Sequence, residues 1–348
     1  RLKHADEFLT ASEIALGCTV DIIAGLEEAR LIYTGVTQWV TGDRRKQLVI
    51  DIGGGSTEFV IGEGINALAM ESLQFGCVSV TNRFFPDGKV TEKRLMKARR
   101  SVLAELQDIQ STYRQMGWQM AVGSSGTIRS AASICQANGW SDNKISTHAL
   151  EQLRQKALSF RSIADIDIEG LSERRQPVFI GGLAIMLACF EALNIDELAI
   201  SPYALREGLL HDLLGRLEHR DPRDKAVKAL MSRFAVDPAQ VERVQWTALK
   251  LFDQLSSSFS LGDSFRVMLG WAAELHELGL GLSHDGYQQH SAYLVEASDM
   301  AGFSRQEQYF LAALVGFQRD EIPGNYAARL PGRLHDPLCI SLLCIRLA

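Results

Sequence analysis

The chain lacks the features that would place it in several large protein classes. Its six cysteines (Cys18, Cys77, Cys135, Cys189, Cys339 and Cys344) are scattered and form no Cys-x-x-Cys pair. That pattern excludes a zinc ribbon or a disulfide framework and reads as reduced, mostly buried thiols. No apolar stretch is long enough to span a bilayer; the longest, Val178 to Phe190, is short and interrupted by glycine, which suits a buried helix. No signal peptide, internal repeat or low-complexity segment is visible. Positive charge is in deficit as well: 36 Lys and Arg stand against 42 Asp and Glu, a net charge of −6. This argues against a general nucleic-acid binder and leaves room for a local basic groove that takes a polyanion.

What is present is a globular composition. The 348 residues are 46% apolar, with mean hydropathy −0.02, enough for two domains or three small ones. Strands are expected at 19–24, 47–52, 57–61, 67–73, 120–122 and 197–200. Helices are expected at 26–36, 92–116, 127–137, 148–160, 177–193 and from 204. After a charged stretch at 218–225, read as a linker, the periodicity is helical throughout: 226–234, 241–255, 265–278, 291–298 and 305–315. The expected domains are therefore residues 1–218 (α/β) and 219–348 (helical).

The most informative segment is Asp51-Ile52-Gly53-Gly54-Gly55-Ser56-Thr57-Glu58. Three glycines alone would be explained by a tight hairpin. With an acid two residues before them and Ser-Thr-Glu after, they read as a phosphate loop: glycine lets backbone N–H groups approach phosphate oxygens, and Ser56 adds a hydroxyl. Asp51 and Glu58 flank the loop as candidate Mg²⁺ ligands, since Mg²⁺ takes one or two protein carboxylates plus substrate phosphates. Upstream, Glu27 and Glu28 open a helix, where acids are ordinarily explained by the helix dipole. The run Gly123-Ser124-Ser125-Gly126-Thr127 ends a strand and opens a helix; it is either a second anion site or a plain turn. Arg129 and Arg206 are candidate phosphate contacts.

Taken together, Gly25-Leu26-Glu27-Glu28-Ala29-Arg30-Leu31 and Asp51–Glu58 resemble the exopolyphosphatase and guanosine pentaphosphate phosphohydrolase family. Further matches follow in order at Gly76–Ser79, Gly123–Thr127, Gly182–Ala184, Ala204–Gly208, Leu275–Gly279 and His290–Tyr293. The later motifs look more like the exopolyphosphatase branch. The resemblance implies an actin-like, sugar-kinase-like (ribonuclease H-like) lobe followed by an all-helical, degenerate HD-like domain. His276-Glu277 stands where working HD sites have His-Asp, so no metal site is expected in that domain.

By the same resemblance Glu28 is the catalytic base and Asp51 and Glu58 belong to the metal site. Gly53, Gly54, Gly55, Ser56, Gly126, Thr127, Arg30 and Arg206 bind phosphate. The implied cofactor is Mg²⁺, with a monovalent cation such as K⁺ as an addition. The implied substrate is inorganic polyphosphate, with guanosine-5′-triphosphate,3′-diphosphate (pppGpp) as the alternative and a non-catalytic sensor as a third reading. Lys93, Arg94, Arg99, Arg100 and Arg223 join Arg30 and Arg206 as candidates for lining a polyanion groove. A homodimer in the cytoplasm, with peripheral association at the inner membrane face, completes the expectation. An ATP-dependent kinase is disfavoured by the bulky Pro202-Tyr203 turn. The Asp-x-Gly-Ser-Asn-type motif of the companion lobe is not found, so that lobe is expected to be largely missing and the chain is read as a fragment.

Overall fold

The computed structural model describes residues 5–38, 45–218, 221–319, 326 and 329–348. They form two compact units, Glu28–Leu217 and a second made of Arg1–Glu27 with Glu218–Ala348.

The elements run α1 (Ala5–Leu16), α2 (Gly25–Gln38), β1 (Lys46–Ile52), β2 (Thr57–Glu63), β3 (Asn66–Leu73), α3 (Cys77–Phe84), α4 (Glu92–Met116), β4 (Met120–Ser124), α5 (Ser125–Ala137), β5 (Lys144–Ser146), α6 (Thr147–Leu158), α7 (Gln176–Leu193), β6 (Glu197–Ile200) and α8 (Leu205–Leu217). The sheet order is β3-β2-β1-β4-β6-β5. β1, β4 and β6 are parallel, while β2, β3 and β5 pair antiparallel to their neighbours. β1 and β2 are buried along almost their whole length, as strands covered on both faces must be.

The two faces can be read off the alternation. Leu48, Ile50, Ile52, Phe59 and Ile61 point into the main core with α3, α4 and α7. Val49, Val60 and Val122 point the other way, onto Ala29, Ile32, Tyr33 and Val36 of α2. α7 has the length and composition of a membrane span, but 72% of it is buried in the protein. It is the core helix.

The second unit holds α1 and then α9 (Pro222–Arg233), α10 (Pro238–Leu255), α11 (Asp263–Leu275), α12 (Tyr287–Ala297), α13 (Arg305–Gly316) and α14 (His335–Arg346). Asp221 and Asp237 cap α9 and α10 ahead of prolines in the first turn, and Ser304 with Glu307 closes a capping box on α13. Within the expected linker, residues 219–220 lie outside the described residues.

Four expectations need correction. Residues 19–24 form no strand. The Gln306 side chain supplies what a neighbouring strand would, accepting from Ile22 N at 3.0 Å and donating to the Val20 carbonyl at 3.2 Å. The extended, β-branched composition was real, but its partner is an amide side chain. α1, α3 and β5 were not foreseen. α3 is eight residues rich in β-branched side chains, and β5 is a three-residue edge.

Candidate active site

Three loops leave the carboxyl ends of the parallel strands side by side, the edge where open α/β sheets hold ligands. β1 runs into Gly53–Ser56, β4 into α5, and β6 into Ser201–Ala204. Asp51 pairs with Ser124, and Gly123 with Ile200.

The glycine loop is braced from behind. Gly53 N donates to Ser56 O at 3.0 Å, closing the turn. Cys77 N donates to Gly53 O at 2.9 Å, and Val78 N and Ser79 N to Gly54 O at 3.0 and 3.2 Å. The first amides of α3 thus consume the loop carbonyls, and this is what starts that short helix. Gly76 must be glycine, because a Cβ there would overlap the Gly54 backbone. Gly54 and Gly55 are different. Neither has a positive φ; a Cβ on Gly54 would meet only Val78 Cγ2, at 3.5 Å, and one on Gly55 would meet nothing within 4 Å. Neither backbone conformation nor packing requires glycine at these two positions.

Asp51 and Glu58 are cross-strand partners in the β1–β2 hairpin. Strand alternation puts them on the α2 face with Val49 and Val60. Both are buried. Ser72 Oγ donates to Glu58 Oε1 at 2.9 Å, whereas Glu58 Oε2 is buried with no partner. Burial pushes Asp51 up to about 6, with the Glu28 charge adding to the rise and Arg129 opposing it. Burial and then the Glu28 charge push Glu58 up to about 7, against the hydrogen bond from Ser72. Burial also raises Glu28. Three expected residues, Glu28, Asp51 and Glu58, are therefore one electrostatically coupled group. Glu27 is occupied elsewhere: its Oε2 accepts from Gly302 N at 3.0 Å.

At the second loop Ser125 has φ +89°, the αL side of the map that non-glycine residues avoid. Thr127 Oγ1 donates to Ile52 O at 3.1 Å, tying α5 to the end of β1. A Cβ on Gly126 would overlap the Arg175 guanidinium, so Gly126 makes room for that cation. Arg175 was missed at the sequence level. It sits in an unremarkable Arg-Arg pair, and only the fold brings it to Gly126. No carboxylate pairs with it among the described residues.

The other expected cations fare differently. Arg30 donates to Asp212 at 2.6 Å. Arg206 has a side chain 84% exposed, with Glu207 at 3.6 Å. Arg129 is exposed and donates to Ser125 O. Of the expected groove residues, Arg94 and Arg99 are paired with Asp87 and Glu191. Arg223 is bound to Asp221 and Glu307 and lies over Trp271. These three guanidinium groups are thus engaged by carboxylates of this chain. The Tyr203 carbonyl accepts from Ser124 and Ser201 hydroxyls at 3.0 and 2.9 Å, which fixes the third loop.

Among the described residues no group of three His, Cys, Asp or Glu forms a ready metal cage. Two buried, mutually repelling carboxylates with one orphan oxygen do fit Mg²⁺, which keeps waters and takes the rest of its shell from substrate phosphates.

A glycine loop open on one side, backed by coupled carboxylates at the carboxyl edge of a mixed sheet, defines an α/β protein with a candidate anion site at that edge. The chain belongs to the Ppx/GppA phosphatase family: the family model matches residues 1–217, and the model of its domain III matches residues 223–348. A guanosine-5′-triphosphate,3′-diphosphate pyrophosphatase of Aeromonas hydrophila is 38% identical, over 99% of this chain and 71% of its own. Its namesake in Aeromonas salmonicida is 39% identical with the same coverage. Among solved structures, a Ppx/GppA enzyme of Aquifex aeolicus is 26% identical with a TM-score of 0.50, covering 60% of this chain and 70% of that one. An exopolyphosphatase of Cytophaga hutchinsonii, 22% identical with a TM-score of 0.55 over 61% of this chain and 70% of its own, shares the fold.

Proposed function

We propose that this protein hydrolyses the terminal 5′ phosphoanhydride of pppGpp with Mg²⁺, releasing orthophosphate. The observation that carries the hydrolytic reading is the coupled group of Glu28, Asp51 and Glu58 beside a loop whose Gly54 and Gly55 are glycine for no internal reason. The substrate choice is supported by the names of the relatives at 38 and 39% identity, and it replaces the exopolyphosphatase preference drawn from the later motifs. The same groups would serve inorganic polyphosphate, which remains the second reading on those motifs.

In this mechanism the N–H groups of Gly54 and Gly55 and the Ser56 hydroxyl hold oxygens of the terminal phosphate. Glu28 orients a water and accepts its proton as the water oxygen bonds to phosphorus. The bridging P–O bond breaks, and the leaving diphosphate carries away the electron pair. A raised carboxylate pKa suits a base that must take a proton near neutrality. Bound at Asp51 and Glu58, Mg²⁺ would neutralise charge on the phosphate oxygens. We read the helical unit as a degenerate HD-like domain on its His276-Glu277 pair.

The test is phosphate release by the full-length protein from pppGpp and from long-chain polyphosphate. We expect kcat/KM at least about tenfold higher for pppGpp, a preference of roughly 1.4 kcal/mol. The reverse preference would move the assignment to polyphosphate. Activity on neither would sink the hydrolytic reading.

A further inference from the structure

The helix that carries Glu28 is held by a buried acid that plays no part in the scheme above. Arg30, two residues beyond Glu28, donates through Nη2 to Oδ1 of Asp212 at 2.6 Å. Arg216, one turn further along α8, donates to Oδ2 at 2.9 Å. The Asp212 side chain is 3% exposed. On α8 only Gly208 and Asp212 are buried; Leu209, Leu210, Leu213, Leu214 and Leu217 are all exposed. The buried stripe of this helix is thus a glycine and an acid four residues apart, and both meet α2. A Cβ on Gly208 would overlap Leu31 O, and one on Gly35 would overlap Ala204 O. The two helices touch backbone to backbone.

Burying a charge is a poor way to gain stability, because desolvation offsets most of what the pairing returns. An apolar side chain at 212 would do as well for α8 alone. What the acid provides is direction. The glycine contact lets α2 and α8 approach closely. Asp212 adds a directional tie to it, because it accepts from Arg30 of α2 and is itself held by Arg216 of its own helix.

We infer that Asp212 is a positioning residue for the hydrolysis: acting through Arg30, it sets the rotation and height of α2 and so the place of Glu28 beside Asp51 and Glu58. This also gives Arg30 a role other than the expected phosphate contact. The inference rests on the reading of Glu28 as the base.

The test uses the full-length protein and whichever of pppGpp and polyphosphate it hydrolyses, so it does not depend on the substrate assignment. Asp212→Asn keeps the shape and removes the charge. It should lower kcat about tenfold or more while KM stays within about threefold, the mark of a group that acts only in the transition state. In a Glu28→Gln background the same substitution should have almost no further effect, since coupled residues are not additive. A full additional loss in that background, or a loss confined to KM, would overturn the inference. Glu28→Gln with undiminished turnover would instead overturn the base assignment. If Asp212→Asn does not stay folded at the assay temperature, Arg30→Lys is read by the same two criteria, because it keeps the charge and loses the planar fork.

Discussion

Asp51 and Glu58 face each other across the β1–β2 hairpin, residue opposite residue, with both carboxyl groups buried. Like charges directly opposite in an antiparallel pair are destabilising, so this pair needs either protons or a cation. Their folded pKa values, about 6 and about 7, lie above those of an unfolded chain. The folded state therefore holds more protons, and the stability this gives is complete below about pH 4 and lost as pH rises through about 6 to 7. In chelator, the contribution of this pair should lower the thermal midpoint between about pH 5 and about pH 8, and excess Mg²⁺ should raise the midpoint more at the higher pH. Glu58→Gln should remove most of that difference. A Mg²⁺ effect that is the same at both pH values, in wild type and variant alike, would count against the pair as the cation site.

Glu27 and Glu28 are adjacent and chemically identical, yet the fold separates their roles. Glu27 binds Gly302 N, whereas Glu28 raises the pKa of Asp51 and Glu58. Glu28→Gln is expected to cut turnover by about 10²–10⁴-fold with substrate binding nearly intact. Glu27→Gln can still accept from Gly302 N, so it should cost about 1 kcal/mol of stability at most and little turnover. Steady-state kinetics and thermal unfolding of the two variants decide between them; the opposite pattern would exchange the assignments.

Gly55 and Gly76 separate binding from folding within one loop. A Cβ at Gly55 meets nothing, so Gly55→Ala should leave stability unchanged or raise it by about 0.4–1 kcal/mol through the unfolded chain. It should still lower kcat/KM, because the methyl enters the space the phosphate approaches. Gly76→Ala overlaps the Gly54 backbone and should cost about 1–3 kcal/mol as an overpacked contact. Full kcat/KM in Gly55→Ala would remove the loop from the site.

Candidate residues that sit together in one short motif are legible in the sequence. The loop, its flanking acids and Glu28 sit in short contiguous motifs, and α4 begins and ends where its periodicity and caps say it should. Candidates that only the fold brings to the site are hidden. Arg175 lies about fifty positions from Gly126, with no local pattern to mark it. Asp212 is a buried acid on a helix whose Leu209, Leu210, Leu213, Leu214 and Leu217 are exposed, a pattern that apolar periodicity does not indicate. The unforeseen α3 begins where it does because loop carbonyls from more than twenty residues earlier accept its first amides. No local propensity records such a partner.

Arg175 supplies the last test. Its guanidinium lies against Gly126, at the first turn of α5, where helix amides already favour an anion. Arg129, three residues on, is bound to the Ser125 carbonyl, so it does not duplicate that position. If the terminal phosphates of the substrate extend from the Gly53–Ser56 loop toward α5, Arg175 meets them. Arg175→Gln should then raise KM about tenfold, with a smaller change in kcat. Gly126→Ala, whose Cβ takes the space of the guanidinium, should displace the same cation and raise KM in the same direction. The double variant should be little worse than either single one, since both remove one contact. Steady-state kinetics on the three proteins, with melting curves to confirm that each is folded, give the answer. An unchanged KM in Arg175→Gln would show that the substrate does not reach α5 and that the site ends at the glycine loop.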